Sequence, residues 1–598
     1  MLSSKKMQLS LRFSCLWLFV ALVTVEVLAG DTDGATSIVI KLKEGGTQED
    51  VNTILQRHPQ YVIDKQFEIA GQVYYQLKID NSKSLSPLPI LRLGTGGSTT
   101  PTEIGDEEQV EFSEVQTKKT FHLFKAKPIT DPELSGLWHL NNDLKYSMNI
   151  AAVWADGYTG AGVTVAIVDT FIQTNHTDLG NMDVDNSYDF YDDDSDPNPD
   201  DPTISHGTMV AGIVGATYGN DFCTVGVAYN ATLVAIGLLG ETQESMDLSD
   251  AQVGRALAHY SSDVSIYVNS WGPDTTSDFH PAGSLAKTAL VSLATNGRQG
   301  NGSIFVFAAG NGGSDSNANA YLQSSIYAIS VASVEFDAVS PSAGFGANIM
   351  TSAYGGGVHY KALKSTVPYD ECSETAGVGS SFAAPVAAGV IALMLEANNG
   401  LTWRDVQHII IRGSNARGFK DEETKWRRNK YGFMFNRKMG FGLLDAKEVV
   451  GLAKKWKTVP EQISCTVLGP IGVNENVTSE ASGKSAIRVG LKDCGMRYLE
   501  HVLVTVNVRY SAFRGTVELE LISPGGTRIQ VQNERYNDAV ASPEEGSFEY
   551  TYKVLHLWGE SPQGLWKLMY KSVNPFVEVG LDSWSLELYG TKKSPGPK

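Results

Sequence analysis

Residues 163–169 read Val-Thr-Val-Ala-Ile-Val-Asp, an apolar run rich in β-branched residues that stops on an acid. A strand apolar on both faces needs cover on both, which is the signature of a parallel sheet buried between helices. Runs of the same kind follow at 232–239, 265–268, 303–308 and 327–334. Helical patterns alternate with them at 206–215, 249–260, 283–296, 381–397 and 402–411. This alternation predicts an α/β fold, a parallel sheet with helices on both faces. Such sheets gather chemistry just past the carboxyl ends of their strands. Asp169 stands at such an end, where desolvating a carboxylate without purpose is costly.

On the N-terminal side, residues 36–80 pattern as a strand (37–43), a helix (50–58) and two strands ending near Ile79, a small α+β unit. A Ser/Pro/Gly/Thr-rich and then acidic stretch, 82–108, reads as a linker to the dibasic pair Lys118-Lys119. Before that unit, Lys5 and Lys6, an apolar run over 13–25 and Val27-Leu28-Ala29 have the layout of a signal peptide. The run is shorter than a membrane span requires. The other long apolar stretch, 382–395, is bracketed by polar residues and reads as a buried helix, so no transmembrane anchor is expected. After about Lys457 the pattern changes to alternating strands such as 501–508, 516–521 and 584–588, with turns such as Ser523-Pro-Gly-Gly526. This predicts an all-β sandwich. The expected division is 1–29, 30–119, 120–457, 458–592 and a basic tail, 593–598.

Composition narrows the function classes. With 42% apolar and 19% charged residues in 598, the chain is ordinary globular material and long enough for about three domains. A net charge of -19 argues against a nucleic-acid binder, which carries a basic stripe. Cys15 leaves with the signal. Cys223, Cys372, Cys465 and Cys494 remain, an even set that suggests two disulfides with three pairings open. Asn175, Asn230, Asn301 and Asn476 each begin an N-x-S/T glycosylation sequon.

Two further segments place reactive groups where a loop meets a helix. His206 opens His-Gly-Thr-Met-Val-Ala-Gly, whose small residues allow close packing behind an imidazole. Ser381 lies in Gly379-Ser-Ser-Phe-Ala-Ala-Pro385, at a helix start that favours developing negative charge. The order Asp, His, Ser is that of the subtilisin triad. In that reading His206 takes the proton of Ser381, and Asp169 fixes the imidazole tautomer. The run 303–309 ends at Gly310-Asn311-Gly312-Gly313, where the amide of Asn311 is a candidate donor to an oxyanion.

Local markers extend the pattern along the chain: Gly-Tyr-Thr-Gly at 157–160, Val-Gly-Val-Ala-Tyr-Asn-Ala at 225–231, Ser-Trp-Gly-Pro at 270–273, and Gly-Ser-Ile-Phe-Val-Phe-Ala-Ala-Gly-Asn-Gly-Gly at 302–313. Leu-Glu-Ala-Asn at 395–398, Leu-Thr-Trp-Arg-Asp at 401–405, Gly-Phe-Gly-Leu-Leu-Asp-Ala at 440–446, Ser-Pro-Gly-Gly-Thr at 523–527 and Trp-Gly-Glu at 558–560 follow. With these the chain resembles the kexin/furin-like proprotein convertases of the subtilase superfamily, as a divergent member. The resemblance implies a subtilisin-like peptidase domain, an inhibitory propeptide released by cleavage near Lys118-Lys119, and a jelly-roll-like P domain. It implies the pairings Cys223–Cys372 and Cys465–Cys494. It also implies structural calcium, one ion held by Asp131, Asp178, Asn220 and backbone oxygens over 217–224, and a second by Asp189, Asp194 and Asp196. Oxygen ligands suit that ion.

The same resemblance implies a monomeric serine endopeptidase of the secretory lumen or extracellular space, acting on protein substrates and inhibited by its own propeptide. Such enzymes read paired basic residues with carboxylates. Here Thr170, Thr203, Val253, Thr275 and Asn319 stand at those positions, and Thr275 and Phe345 replace carboxylates of a further ion site. Asp274 and Asp278 are the acids nearby in sequence. Cleavage of proproteins after basic residues with weakened dibasic selectivity is the leading expectation. The alternatives are a broad-specificity secreted subtilase and a catalytically idle binding protein.

Overall fold

The computed structural model describes residues 37–79, 104–116, 119–123, 137–140, 146–220, 222–240, 246–273, 278–313, 315–335, 343–357, 362–373, 377–416 and 425–596. The signal segment, Lys118, Asp131, Asp274 and Thr275 lie outside these residues.

Among the described residues the central sheet has nine strands. Its parallel core runs Ile349–Tyr354, Ala328–Val334, Ile304–Ala308, Ile266–Asn269, Thr164–Asp169, Thr232–Gly237 in spatial order. Five of these six strands are the apolar runs of the sequence. Ile349–Tyr354 was not among them because Thr351 and Ser352 interrupt its apolar character. Both are buried, and Thr351 Oγ1 satisfies itself by donating to Gly442 O at 3.0 Å. The chain leaves Thr164–Asp169 for one neighbour, Thr232–Gly237, and returns to the other, Ile266–Asn269. The connection therefore reverses at Asp169, the kind of switch point where open α/β sheets build sites.

The helices His206–Gly215 and Ser380–Ala397 pack on one face, and Asp250–Ala258 and Ser284–Asn296 on the other. Ser380–Ala397 is long and apolar enough to cross a membrane, but 89% of its candidate window is buried inside the fold. It is the core helix anticipated from its polar brackets.

Residues 37–79 and 104–116 form a four-stranded antiparallel sheet in the order Tyr61–Ile69, Gln72–Ile79, Ser37–Leu42, Val110–Gln116, with the helix Gln48–Arg57. Ile38, Ile40, Val51, Ile54 and Leu77 make its own core. Its other face carries Phe67, Ile69 and Tyr74 into the cluster formed by the helices Asp250–Ala258 and Ser284–Asn296. Charges frame this seam. Asp193 pairs with Lys65 and with Arg255, and Glu114 accepts from Ser284 Oγ at 2.7 Å at the start of its helix.

The C-terminal part is an antiparallel sandwich. One sheet contains Ile463–Leu468, Val579–Thr591, Tyr498–Tyr510 and Gly546–Val554. The other contains Gly483–Val489, Gly564–Ser572, Val517–Ile522 and Arg528–Gln532. It shares a continuous core with the α/β domain. At the seam, buried Glu500 accepts from Arg404 (3.1 and 2.6 Å) and from His408 (2.8 Å), and Trp558 donates to His408. Lys553, also buried, donates to Ser325 O and Ala328 O. Both disulfides take the pairings implied by the family resemblance, Cys223–Cys372 and Cys465–Cys494, with Cα separations of 5.3 and 5.6 Å.

Candidate active site

Asp169 is the last residue of its strand and wholly buried. Its backbone carbonyl accepts from Leu238 N, which anchors it to the neighbouring strand end. Its Oδ1 accepts from Thr170 N at 2.8 Å and faces His206 Nδ1 at 2.6 Å. His206 is the first residue of its helix. The next residue must be glycine: a Cβ on Gly207 would lie 2.6 Å from Thr170 O and 2.7 Å from Phe171 O. Gly207 N donates to Thr170 Oγ1 at 2.8 Å, so the helix start is pinned to the strand end and the imidazole to the carboxylate. The other ring nitrogen, Nε2, is buried and makes no hydrogen bond. A tautomer with the proton on Nδ1, facing Asp169, leaves Nε2 as a base.

Ser381 is the second residue of Ser380–Ala397, in the first turn where the helix dipole is positive. Its Oγ donates to Ser270 O at 3.1 Å, and Ser270 Oγ donates to Ser381 O at 2.8 Å. The second bond has a cause in Pro385. In a regular helix the N–H of residue 385 would bond the carbonyl of residue 381, and proline has no N–H. Ser270 supplies the replacement donor and ties the strand Trp271–Pro273 to the nucleophile helix. Phe382 packs its ring 5.6 Å from the imidazole, edge to face, which sets the first turn of the Ser381 helix beside His206. The Ser381–His206 hydrogen bond itself is not formed here, because Oγ is turned to Ser270 O.

Asn311 lies at the same point. Its Oδ1 accepts from Ser380 N at 2.9 Å and from Ser380 Oγ at 3.2 Å, and Gly310 N donates to Ser380 Oγ. With Oδ1 so engaged, Nδ2 is the donor its side chain can offer a substrate. Gly379 is required for this approach. It has φ 126°, and a Cβ there would lie 2.8 Å from the Asn311 carboxamide. The four positions read from sequence as catalytic are thus drawn from two strand ends, Asp169 and Asn311, and two helix starts, His206 and Ser381.

The positions where the family carries acids are neutral here and otherwise engaged. Thr170 is buried and bonded to Gly207, Val253 is sealed inside its helix packing, and Thr203 N donates to Asp201 Oδ1 at 2.8 Å. Asn319 is buried and accepts from Arg535 of the sandwich at 2.7 Å. Asp278 does not compensate for the missing acids: Arg514 pairs with its carboxylate at 2.6 Å, and Arg535 donates to its carbonyl. Phe345 stacks under Arg437, 4.4 Å from guanidinium carbon to ring centre. Sequence reading missed these arginines, and also Ser270 and Pro385 as partners. Nothing local in the sequence links residues so far apart.

Of the expected calcium ligands, Asp178 and Asn220 meet, with Asn220 Nδ2 2.8 Å from Asp178 Oδ1 and Thr224 N 3.0 Å from Oδ2. Burial pushes the carboxyl of Asp178 up, and no lysine or arginine pairs with it among the described residues, so neither competes there with a cation. Asp189, Asp194 and Asp196 are not brought to one point. No three acidic, histidine or cysteine groups converge among the described residues. Tyr191 N bonds Asp189, Asp196 N bonds Asp194, and Asn198 bonds Asp196, so each carboxylate closes a local turn. Asp189 is nevertheless pushed up to about 6 by burial. Asn175, Asn230 and Asn476 are exposed, while Asn301 is half-buried. Lys119 opens the strand Lys119–Leu123, which lies between Met246–Leu248 and Trp271–Pro273.

Comparison with known proteins gives concordant matches. Residues 160–442 match the subtilase family and residues 499–588 the proprotein convertase P-domain. The chain is 37% identical over 494 residues to Endoprotease bli of Onchocerca volvulus, covering 80% of this chain and 69% of that protein. It is 35% identical over 490 residues to Neuroendocrine convertase 2 of Homo sapiens, covering 78% and 75%. It is 34% identical over 493 residues to Furin-like protease 1, isoforms 1/1-X/2, of Drosophila melanogaster. That match covers 80% of this chain, which thus spans only 38% of the length of that relative. Among solved structures, the serine protease of Aeromonas sobria shares the fold at a TM-score of 0.65 and 22% identity, covering 78% of this chain and 96% of that one.

Proposed function

The chain belongs to the proprotein convertases of the subtilase family, and from that premise we propose that it is a serine endopeptidase acting on proproteins of the secretory route. The observation that carries the reading is the 2.6 Å contact of His206 Nδ1 with buried Asp169. It lies beside a serine at a helix start and an asparagine whose Oδ1 is already committed.

The mechanism follows from these groups. Ser381 Oγ leaves Ser270 O, gives its proton to His206 Nε2 and attacks a substrate carbonyl carbon. Asp169 holds the tautomer and stabilises the imidazolium that forms. Asn311 Nδ2 and the helix start receive the charge on the carbonyl oxygen. The imidazolium then protonates the leaving amine, and water hydrolyses the ester on Ser381.

Selectivity departs from a dibasic pattern. The charges of the family's positions are absent, and Asp278, one of the two acids nearby in sequence, pairs with Arg514. We assign the enzyme a weakened preference for basic residues. A broad-specificity secreted subtilase is the second reading, favoured by the same neutrality. The module 37–116 serves as inhibitor, its apolar face on the two helices. Calcium, when bound, supplies positive charge that fixes loops around Asp178, Asn220 and Asp131 and takes no part in the reaction. The four sequons are glycosylation sites, and the enzyme acts as a monomer in the secretory lumen or outside the cell.

A serine-reactive phosphonate tests the assignment. Labelling of the wild-type protein, absent in Ser381→Ala, is expected, and equal labelling of both refutes it.

A further inference from the structure

Downstream of Asn311 the chain places Asp315, Asn317 and Asn319 at alternate positions, and all three are buried. Each reaches the sandwich. Asp315 Oδ2 accepts from Asn533 N at 3.0 Å and from Asn533 Nδ2 at 2.8 Å, and Asn319 Oδ1 accepts from Arg535. Asn317 is held most completely. Gly546–Val554 is the outer strand of its sheet among the described residues, and an outer strand presents N–H and C=O groups that no neighbouring strand takes up. The carboxamide of Asn317 takes up both at Lys553: Oδ1 accepts from Lys553 N at 3.1 Å, and Nδ2 donates to Lys553 O at 2.9 Å. Its backbone is engaged as well, N donating to Asp315 Oδ1 at 3.0 Å and O accepting from the Tyr550 hydroxyl at 3.2 Å. Asn317 has no exposed surface, and three of its four polar groups are spent on one strand of another domain.

A second segment ties this one to Asn311. Residues 343–345 bridge Asn311 at Ala343 and Asp315 at Phe345. Gly344 N donates to Gly310 O at 3.0 Å, and Ser316 N to Phe345 O at 2.7 Å. Two residues further on, Ala347 O accepts from Leu555 N at 2.9 Å, just past the outer strand. Asn311 in turn receives Ser380 N, next to the nucleophile. Hydrogen bonds and short stretches of backbone thus connect Lys553 and Leu555 of the sandwich to the residue before Ser381.

We infer, resting on the serine endopeptidase reading, that Asn317 is a positioning residue for Asn311. Held on the outer strand of the sandwich, it keeps the Asn311 carboxamide where the charge of the tetrahedral intermediate develops. An oxyanion donor works only within a narrow range of position, and a displacement of about 1 Å costs on the order of a hundredfold in turnover. Loss of the Asn317 carboxamide strands the N–H and C=O of Lys553 inside the seam and frees 315–317 to shift, with 343–345 and Asn311 behind them. The nucleophile, base and acid keep anchors of their own in Ser270, Thr170 and Leu238. Turnover is therefore the quantity that Asn317 governs.

The test expresses the full chain in secreting cells as wild type, Ser381→Ala and Glu500→Gln, and with Asn317→Ala or Tyr550→Phe, each alone and combined with Asn311→Ala. Active sites are counted by labelling to completion with the serine-reactive phosphonate. Hydrolysis of an N-acyl amino-acid nitrophenyl ester then gives KM and kcat per active site. Asn317→Ala is expected to lower kcat about tenfold or more with KM changed less than about twofold, a split that a smaller amount of folded protein does not produce. In the Asn311→Ala background the same substitution should cost less than about twofold, because the donor it positions is already gone. Tyr550→Phe removes one hydroxyl from Asn317 O and Ala320 O. It should lower kcat about threefold, again only where Asn311 is present, and it decides the question if Asn317→Ala does not fold. Glu500→Gln weakens a part of the seam that bonds neither segment among the described residues and should keep kcat per active site within about twofold of wild type. Equal losses with and without Asn311, no loss in Asn317→Ala, or as large a loss in Glu500→Gln overturns this inference alone, provided hydrolysis is absent in Ser381→Ala. Absent labelling of the wild type, or equal hydrolysis by Ser381→Ala, overturns the endopeptidase reading and this inference with it.

Discussion

Replacing Ser270 by alanine removes one hydroxyl, wholly buried, 2.8 Å from the carbonyl of Ser381. That hydroxyl stands in for the N–H that Pro385 lacks, so its loss weakens the helix start carrying the nucleophile. A buried carbonyl deprived of its donor costs about 1–3 kcal/mol. Each kcal/mol is about 2–4 °C in Tm for a domain of 150–250 residues and less for this larger one. The informative partner is Pro385→Ala, which restores an N–H at the position that bonds residue 381. Thermal unfolding and peptide-hydrolysis kcat should be measured for both single variants and the double. The account predicts that the double variant recovers much of what Ser270→Ala loses, a coupling of at least about 0.5–1 kcal/mol, the range for groups that share a partner. Additive effects would show that Ser270 and Pro385 do not serve the same carbonyl, and the explanation of this helix start would be wrong.

Asn311→Ala should lower kcat by about 10²–10³, the loss expected for one oxyanion donor, and should also lower Tm because the buried N–H of Ser380 loses its acceptor, as measured by peptide hydrolysis beside thermal unfolding. Asp169→Asn should lower kcat by about 10⁴ with KM nearly unchanged, because the imidazole takes the wrong tautomer. Glu500 is held below the usual carboxylate range by its bonds to His408 and Arg404, despite burial that acts the other way. With the folded value depressed, its stabilisation is present above the unfolded value, about 4.3, and is lost as pH falls below it. Glu500→Gln should therefore destabilise the protein by several kcal/mol at pH 7, and its deficit against the wild type, followed by denaturant melts, should shrink below about pH 4.

Much of the α/β domain was legible because its strands are buried on both faces and therefore continuously apolar. The three positions proposed as a triad stood out because each sits where such a run or a helix begins or ends. Ile349–Tyr354 was hidden by Thr351 and Ser352, both buried, the Thr351 hydroxyl being satisfied inside the fold. Val110–Gln116 adjoins an acidic linker, and only its pairing with Ser37–Leu42 makes it a strand. The seam between the domains was illegible. Glu500 meets Arg404 and His408 from more than ninety positions away, and Arg535 reaches Asn319 from 216 positions away. No periodicity records such a meeting. The acidic run 189–196 misled in the opposite sense, since short spacing that suits an ion also suits turns closed by backbone N–H groups.

The central claim is that Ser381, His206 and Asp169 act as one unit, and pre-steady-state hydrolysis of an activated ester tests it most directly. The account predicts a burst of alcohol stoichiometric with enzyme as the acyl group accumulates on Ser381. It also predicts no burst from Ser381→Ala and a burst slowed by orders of magnitude in His206→Ala. A burst of equal rate and amplitude in His206→Ala would contradict it.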